Sequence, residues 1–206
     1  MNDDTGVRFP PEAIASAAVP SFLSDDELRT LAAATDRLVP PLDDHPGAAA
    51  LGVADYVDTL LGAFTFDPPR IFAGGPFSGR AGGDASFADF LPLSPLEELA
   101  WRTRIEGSRG DPAREFNGPV VGWQERYRAG LAALGADFAD QAAEEQDRRL
   151  DADPAFKALC YEHACEGAYS APEYGGNRDG AGWRAIRFAG DVQPRGYTDE
   201  EVSGRD

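Results

Sequence analysis

The sequence predicts an all-α fold, an irregular bundle of about five helices with two long ordered loops, and three observations carry that reading. Apolar residues recur at three- and four-residue spacings through most of the chain. Two segments open with capping boxes, Ser24-Asp25-Asp26-Glu27 and Ser94-Pro95-Leu96-Glu97, in which a serine and a glutamate three residues on satisfy each other's backbone donors. No alternating apolar–polar run is long enough to make a useful strand.

The first helix follows Ser24, carries Leu28, Leu31, Leu38 and Val39 as a stripe, and ends before Pro40-Pro41. Asp43 to Pro46 is a turn-rich connector. A second helix is expected from Ala48 to Phe64, with Val53, Val57, Leu60, Leu61 and Phe64 on one side and Pro68-Pro69 closing it. Residues 70–92 form a glycine-rich loop bearing Phe72, Phe77, Phe87, Phe90 and Leu91. A flexible linker has no use for five such residues, so this loop is expected to press onto the core or onto a partner. The third helix starts at Pro95, an allowed first position, and carries Leu96, Leu99, Trp101 and Ile105. Gly107 to Pro119 is the second loop.

A longer helix is expected from about Val120 to Leu150, with Trp123, Tyr127, Leu131, Leu134 and Phe138 at helical spacings and a polar, solvated stretch from Glu144 to Arg149. The last clear helix opens at Asp153-Pro154 and runs to Tyr169, sharing one face between Phe156, Leu159, His163 and Glu166 or Gly167. Pro172 and Gly175-Gly176 stop it, and Trp183, Ile186 and Phe188 predict a short turn that packs. The domain reading is an N-terminal extension over 1–20, a helical domain over 21–190 and a polar tail over 191–206.

Charge narrows the function classes. Against 36 acidic residues stand 19 basic ones, a net charge of -17, and Lys157 is the single lysine. Such a surface repels nucleic-acid phosphates and anionic membranes. Carboxylates that hold water and ions, with few apolar lysine stems, fit a salt-rich cytoplasm; an acidic protein from a GC-rich genome is the plainer alternative. No run of 18 apolar residues occurs, and the start MNDDTGVRF has no basic or apolar leader region and no twin arginine, so unaided export is not expected.

The chemistry-bearing residues are few. Only His45 and His163 offer an imidazole base; His45 lies in a polar connector and is expected at the plain surface. No G-x-S-x-G elbow, C-x-x-C-H or phosphate-cradling glycine motif is present. Cys160 and His163 share a helical face and fill two corners of a metal site at most, since Cys165 lies about 140° round the helix from Cys160. Close packing of small residues is the alternative reading of that cluster. Neither a catalytic nor a cofactor-binding residue is assigned to the chain.

The most specific stretch is Glu166-Gly167-Ala168-Tyr169-Ser170-Ala171-Pro172-Glu173-Tyr174-Gly175-Gly176-Asn177-Arg178, continuing to Gly182-Trp183-Arg184. Glu166, Tyr169, Tyr174, Gly175, Gly176, Asn177, Arg178, Trp183 and Arg184 are candidates for contact with a partner, because aromatic and arginine side chains anchor interfaces. A loop that caps the helix and packs on its own bundle is the competing reading.

The pattern Glu-Gly, a spacer, Pro-x-Tyr-Gly-Gly-Asn-Arg, then Gly-Trp-Arg resembles the gluconate 2-dehydrogenase subunit 3 family. The helix ending Asp36-Arg37-Leu38-Val39-Pro40 and the block from Ala50 to Asp58 resemble that family's opening, so the likeness spans roughly residues 24–188. The resemblance implies a non-catalytic small subunit of a sugar, polyol or gluconate dehydrogenase. Its large subunit would be a glucose-methanol-choline-type oxidoreductase that carries FAD, and the small chain would support its folding, stability or maturation. Many such subunits carry a twin-arginine signal; without one here, the complex is expected to be cytoplasmic or exported through the large subunit's signal. A small metal protein using Cys160 and His163, or a stand-alone sugar-binding module, are the alternatives.

Overall fold

The computed structural model describes residues 22–65, 69, 71 and 93–188. Helices α1 (Asp25–Leu38), α2 (Gly47–Leu51), α3 (Val53–Leu61), α4 (Pro95–Glu106), α5 (Trp123–Leu134), α6 (Ala143–Asp151), α7 (Pro154–Tyr169) and α8 (Ala181–Ala185) follow in chain order, with short 3-10 turns between them. Among the described residues there is no strand, only an isolated bridge between Leu42 and His45, and no helix is long and apolar enough to cross a membrane. The all-α class therefore stands. The predicted extension over 1–20, the loop residues 72–92 and the tail over 191–206 lie outside the described residues.

Among the described residues eight helices stand where about five were expected, and glycine accounts for two of the three extra ones. The predicted 48–64 helix breaks at Gly52, whose φ of 71° no α-helix accommodates. The Arg178 side chain occupies the space where a Cβ on residue 52 would stand. The predicted 120–150 helix breaks at Gly135, with φ 90°, and resumes at Ala143. Tertiary bonds hold that break open. Arg149 donates to the Leu134 carbonyl at 2.8 Å and pairs with Asp137, while Gln146 donates to the Phe138 carbonyl at 3.0 Å. The stretch from Glu144 to Arg149 is thus not wholly solvated: Gln146 is buried and Arg149 half-buried. The third extra helix, α8, is the predicted packed turn. Trp183 is buried there, but Ile186 and Phe188 stay exposed.

Both capping boxes form as read, at Ser24–Glu27 and Ser94–Glu97. The Asp153 side chain caps α7 by accepting from the Phe156 N–H at 2.9 Å. α7 is the central element, packing against α1, α2, α3, α5, α6 and α8. Its buried residues, Phe156, Leu159, Cys160, His163, Ala164, Gly167 and Ala168, wrap more than one face, as a helix surrounded by others requires. Close approach needs its glycine: a Cβ on Gly167 would lie 2.8 Å from the Tyr56 ring. The main core joins Leu31, Val57, Leu61, Tyr127, Leu131, Phe138, Leu150 and Leu159 from five helices and the 138–140 turn. Arg37 of α1 makes a two-point pair with Asp147 of α6, at 2.9 and 2.6 Å, which fixes the register of those helices.

Candidate functional site

The segment after α7 reverses the chain tightly. Gly175 (φ 100°), Asn177 (φ 45°), Asp179 (φ 57°) and Gly180 (φ 67°) all take left-handed backbone. Asn177, fully buried, is the staple. Its Nδ2 donates to the Ser170 carbonyl at 2.8 Å, and its Oδ1 accepts the Gly182 N–H at 2.8 Å. A Cβ on Gly176 would fall on the Gly167 carbonyl, so only glycine lets this strap lie on α7. The Trp183 indole donates to the Tyr169 carbonyl at 2.6 Å and meets the Phe188 ring edge to face.

The nine candidate residues thus divide. Gly176, Asn177 and Trp183 are buried and build the strap, as the capping reading expected. Glu166, Arg178 and Arg184 are exposed, and Tyr169, Tyr174 and Gly175 are half-buried. Arg178 pairs with Asp55 of α3, and Arg184 donates to the Asp179 carbonyl.

Beside the strap, between α3, α4 and the last turns of α7, opens a cavity of about 670 Å³. Rings of Tyr56, Trp101, Tyr169 and Tyr174 line it with Leu60, Ile71 and Ala171. A second hollow of about 610 Å³ shares Tyr56, Leu60, Trp101 and Glu166 with it, so the two make one trough along α7. Tyr56, Leu60 and Trp101 were not singled out as site residues in the sequence. They sit on other helices, and nothing in a linear pattern announces that they converge on Glu166.

Among the described residues Glu166 is the one charged side chain lining the larger cavity. The Tyr56 hydroxyl donates to its Oε2 at 3.1 Å. Partial burial holds its carboxyl above the usual range, against the opposing effect of the Tyr56 bond. Among the described residues no cation forms an ion pair with it, and Arg104 acts on it only from a distance. The Ser170 hydroxyl, on the same wall, is buried without a hydrogen-bond partner.

The other titratable candidates separate. Cys160 lies in the core, and burial pushes its thiol up to about 12, away from the thiolate that a metal takes. Cys165 lines the trough. His163 is fully buried; burial, then the Arg126 and Arg104 charges, lower it to about 4, so it is neutral. Its Nδ1 shares a hydrogen bond of 3.0 Å with the Tyr127 hydroxyl, and its ring meets Trp123 edge to face with centroids 4.5 Å apart. Among the described residues no group of three or more His, Cys, Asp and Glu side chains comes together. His45, expected at the plain surface, is half-buried and bonded at both nitrogens. Gly47 N–H donates to Nδ1 at 3.1 Å, so Nε2 carries the proton and donates to the Tyr169 hydroxyl at 3.0 Å.

Bundle and strap together define a helical subunit whose most developed surface feature is an aromatic trough beside the Tyr-Gly-Gly-Asn-Arg turn. Residues 25–190 match the family model for gluconate 2-dehydrogenase subunit 3, and the chain belongs to that family. The family implies an accessory subunit in a complex with a dehydrogenase catalytic subunit. Comparison with curated proteins and with solved structures gave no match.

Proposed function

We propose that this chain is the non-catalytic small subunit of a flavin-dependent sugar, polyol or gluconate dehydrogenase. It supports the folding, stability or maturation of a glucose-methanol-choline-type large subunit that binds FAD and performs the oxidation. Family membership over residues 25–190 is the observation that carries the reading. The residue chemistry supports it. His163 is sealed in the core, His45 is spent on a turn and on Tyr169, and the Cys160 thiol is raised by burial. Outward features are of the binding kind: the trough, Arg178 and Arg184, and the Gly107–Gly122 loop. That loop is tied down by Ser108–Val120 bonds and by Arg114 on Glu106, yet holds Phe116 out at 93% exposure.

Co-expression with the large subunit tests the proposal. The two chains are expected to co-purify with bound flavin, and the large subunit made alone is expected to be insoluble or to lose FAD. A large subunit that folds and turns over fully by itself overturns it.

A further inference from the structure

The trough along α7 is chemically unusual for so acidic a molecule. Its larger cavity is walled by Tyr56, Trp101, Tyr169 and Tyr174, and among the described residues its one charge is the Glu166 carboxylate, while Arg104, Arg126 and Glu162 line the hollow that continues it. Aromatic faces carry negative potential and attract cations, most strongly where water is displaced. A carboxylate amid such rings adds a full charge and two acceptor atoms, and among the described residues only one of them is engaged, by Tyr56. The neighbouring Ser170 hydroxyl is a further unused polar group on that wall. A neutral apolar occupant would cover Glu166 and leave its carboxylate without a partner, which is unfavourable. A lysine would satisfy the charge but use the rings less well. The planar guanidinium of arginine stacks on aromatic faces and bonds a carboxylate at two points.

From this complementarity we infer that the trough receives an arginine side chain, flanked by apolar residues, from the catalytic subunit of the complex, with its guanidinium on Glu166 between the tyrosine and tryptophan rings. The inference rests on the accessory-subunit reading and adds to it the place and chemistry of docking.

The experiment uses the full chain and the flavin-bearing subunit of its own complex, separated and recombined, with dissociation constants measured by calorimetry. Glu166→Arg is expected to weaken binding at least about 30-fold and Glu166→Gln about tenfold, while the melting temperature of the isolated chain stays within about 2 °C. A photo-crosslinker at Leu60 is expected to capture a segment of the catalytic subunit that contains arginine. Both Glu166 variants binding as tightly as the unaltered chain overturn the inference, as does a crosslinked segment without arginine. A large fall in the isolated chain's melting temperature with binding unchanged assigns the cavity to this chain's own segment 72–92 and also overturns it. So does Glu166-dependent binding of free glucose or gluconate to the isolated chain, which makes the trough a saccharide site. Failure of the unaltered chains to associate at all is a different result: it removes the accessory-subunit reading itself.

Discussion

The Tyr127 hydroxyl and Nδ1 of His163 share a hydrogen bond of 3.0 Å, and both side chains are fully buried. The bond joins α5 to the central α7. The two rings are nearly parallel and stacked, while Trp123 closes on His163 and Phe156 on Tyr127 edge to face. Tyr127→Phe nearly keeps the volume and leaves His163 Nδ1 without its partner, so it is expected to cost about 1–2 kcal/mol in urea denaturation. A loss below about 0.3 kcal/mol would mean that the bond contributes nothing to the fold.

His163 also sets an acid sensitivity. Its folded value of about 4 lies below the ordinary 6.5, so between those values the unfolded chain holds a proton that the folded chain does not. Its neutral burial contributes fully above pH 6.5, and that contribution falls away as pH drops toward 4, by about 3 kcal/mol. Denaturation at stepped pH is expected to show this slope. His163→Gln, whose amide offers Tyr127 either a donor or an acceptor, should flatten that part of the profile, and an unchanged slope would refute the assignment.

The strap separates folding residues from surface ones. Asn177→Ala leaves the Gly182 N–H without its acceptor and the Ser170 carbonyl without its donor, an expected loss of about 3 kcal/mol. Trp183→Ala is expected to cost about 3–5 kcal/mol, because it empties a buried site and removes the bond to Tyr169. Arg184→Ala, at an exposed position, should change stability by less than about 0.5 kcal/mol. Thermal melts of the three variants side by side check the order.

Gly52 and Gly118 both have positive φ, at 71° and 98°, but different surroundings. Nothing stands within 4 Å of a Cβ on Gly118, so Gly118→Ala should cost only backbone strain, about 1 kcal/mol. Gly52→Ala adds the displacement of Arg178 from its pair with Asp55, and about 3 kcal/mol is expected. Equal losses in chemical denaturation would mean that Arg178 moves aside freely.

Net charge of -17 implies self-repulsion that salt relieves. Between about 0.1 M and about 2 M KCl the melting temperature is expected to rise by roughly 5 °C or more. A flat or falling response would reject adaptation to a salt-rich host.

Much of the architecture was legible because its signals are local. Ser24 and Ser94 cap the helices they precede, Pro154 opens α7, and the Glu166-to-Arg184 motif marks both the family and the strap. The helix count was not legible. The expected helices ran through Gly52 and Gly135, but Arg178, from far along the chain, occupies the space beside Gly52, and Arg149 and Gln146, from the next helix, hold the break at Gly135. His45 looked free because its partner, Tyr169, is more than a hundred residues away.

By itself, then, the sequence determined the helical class, the caps and stops, the acid charge and the family, each written in neighbouring residues or in composition. The tertiary structure alone decided which motif residues turn inward, where α2 and α3 part, and that Tyr56, Trp101 and Glu166 face one trough. Those outcomes depend on side chains from separate helices meeting in space, and a one-dimensional pattern carries no term for that meeting.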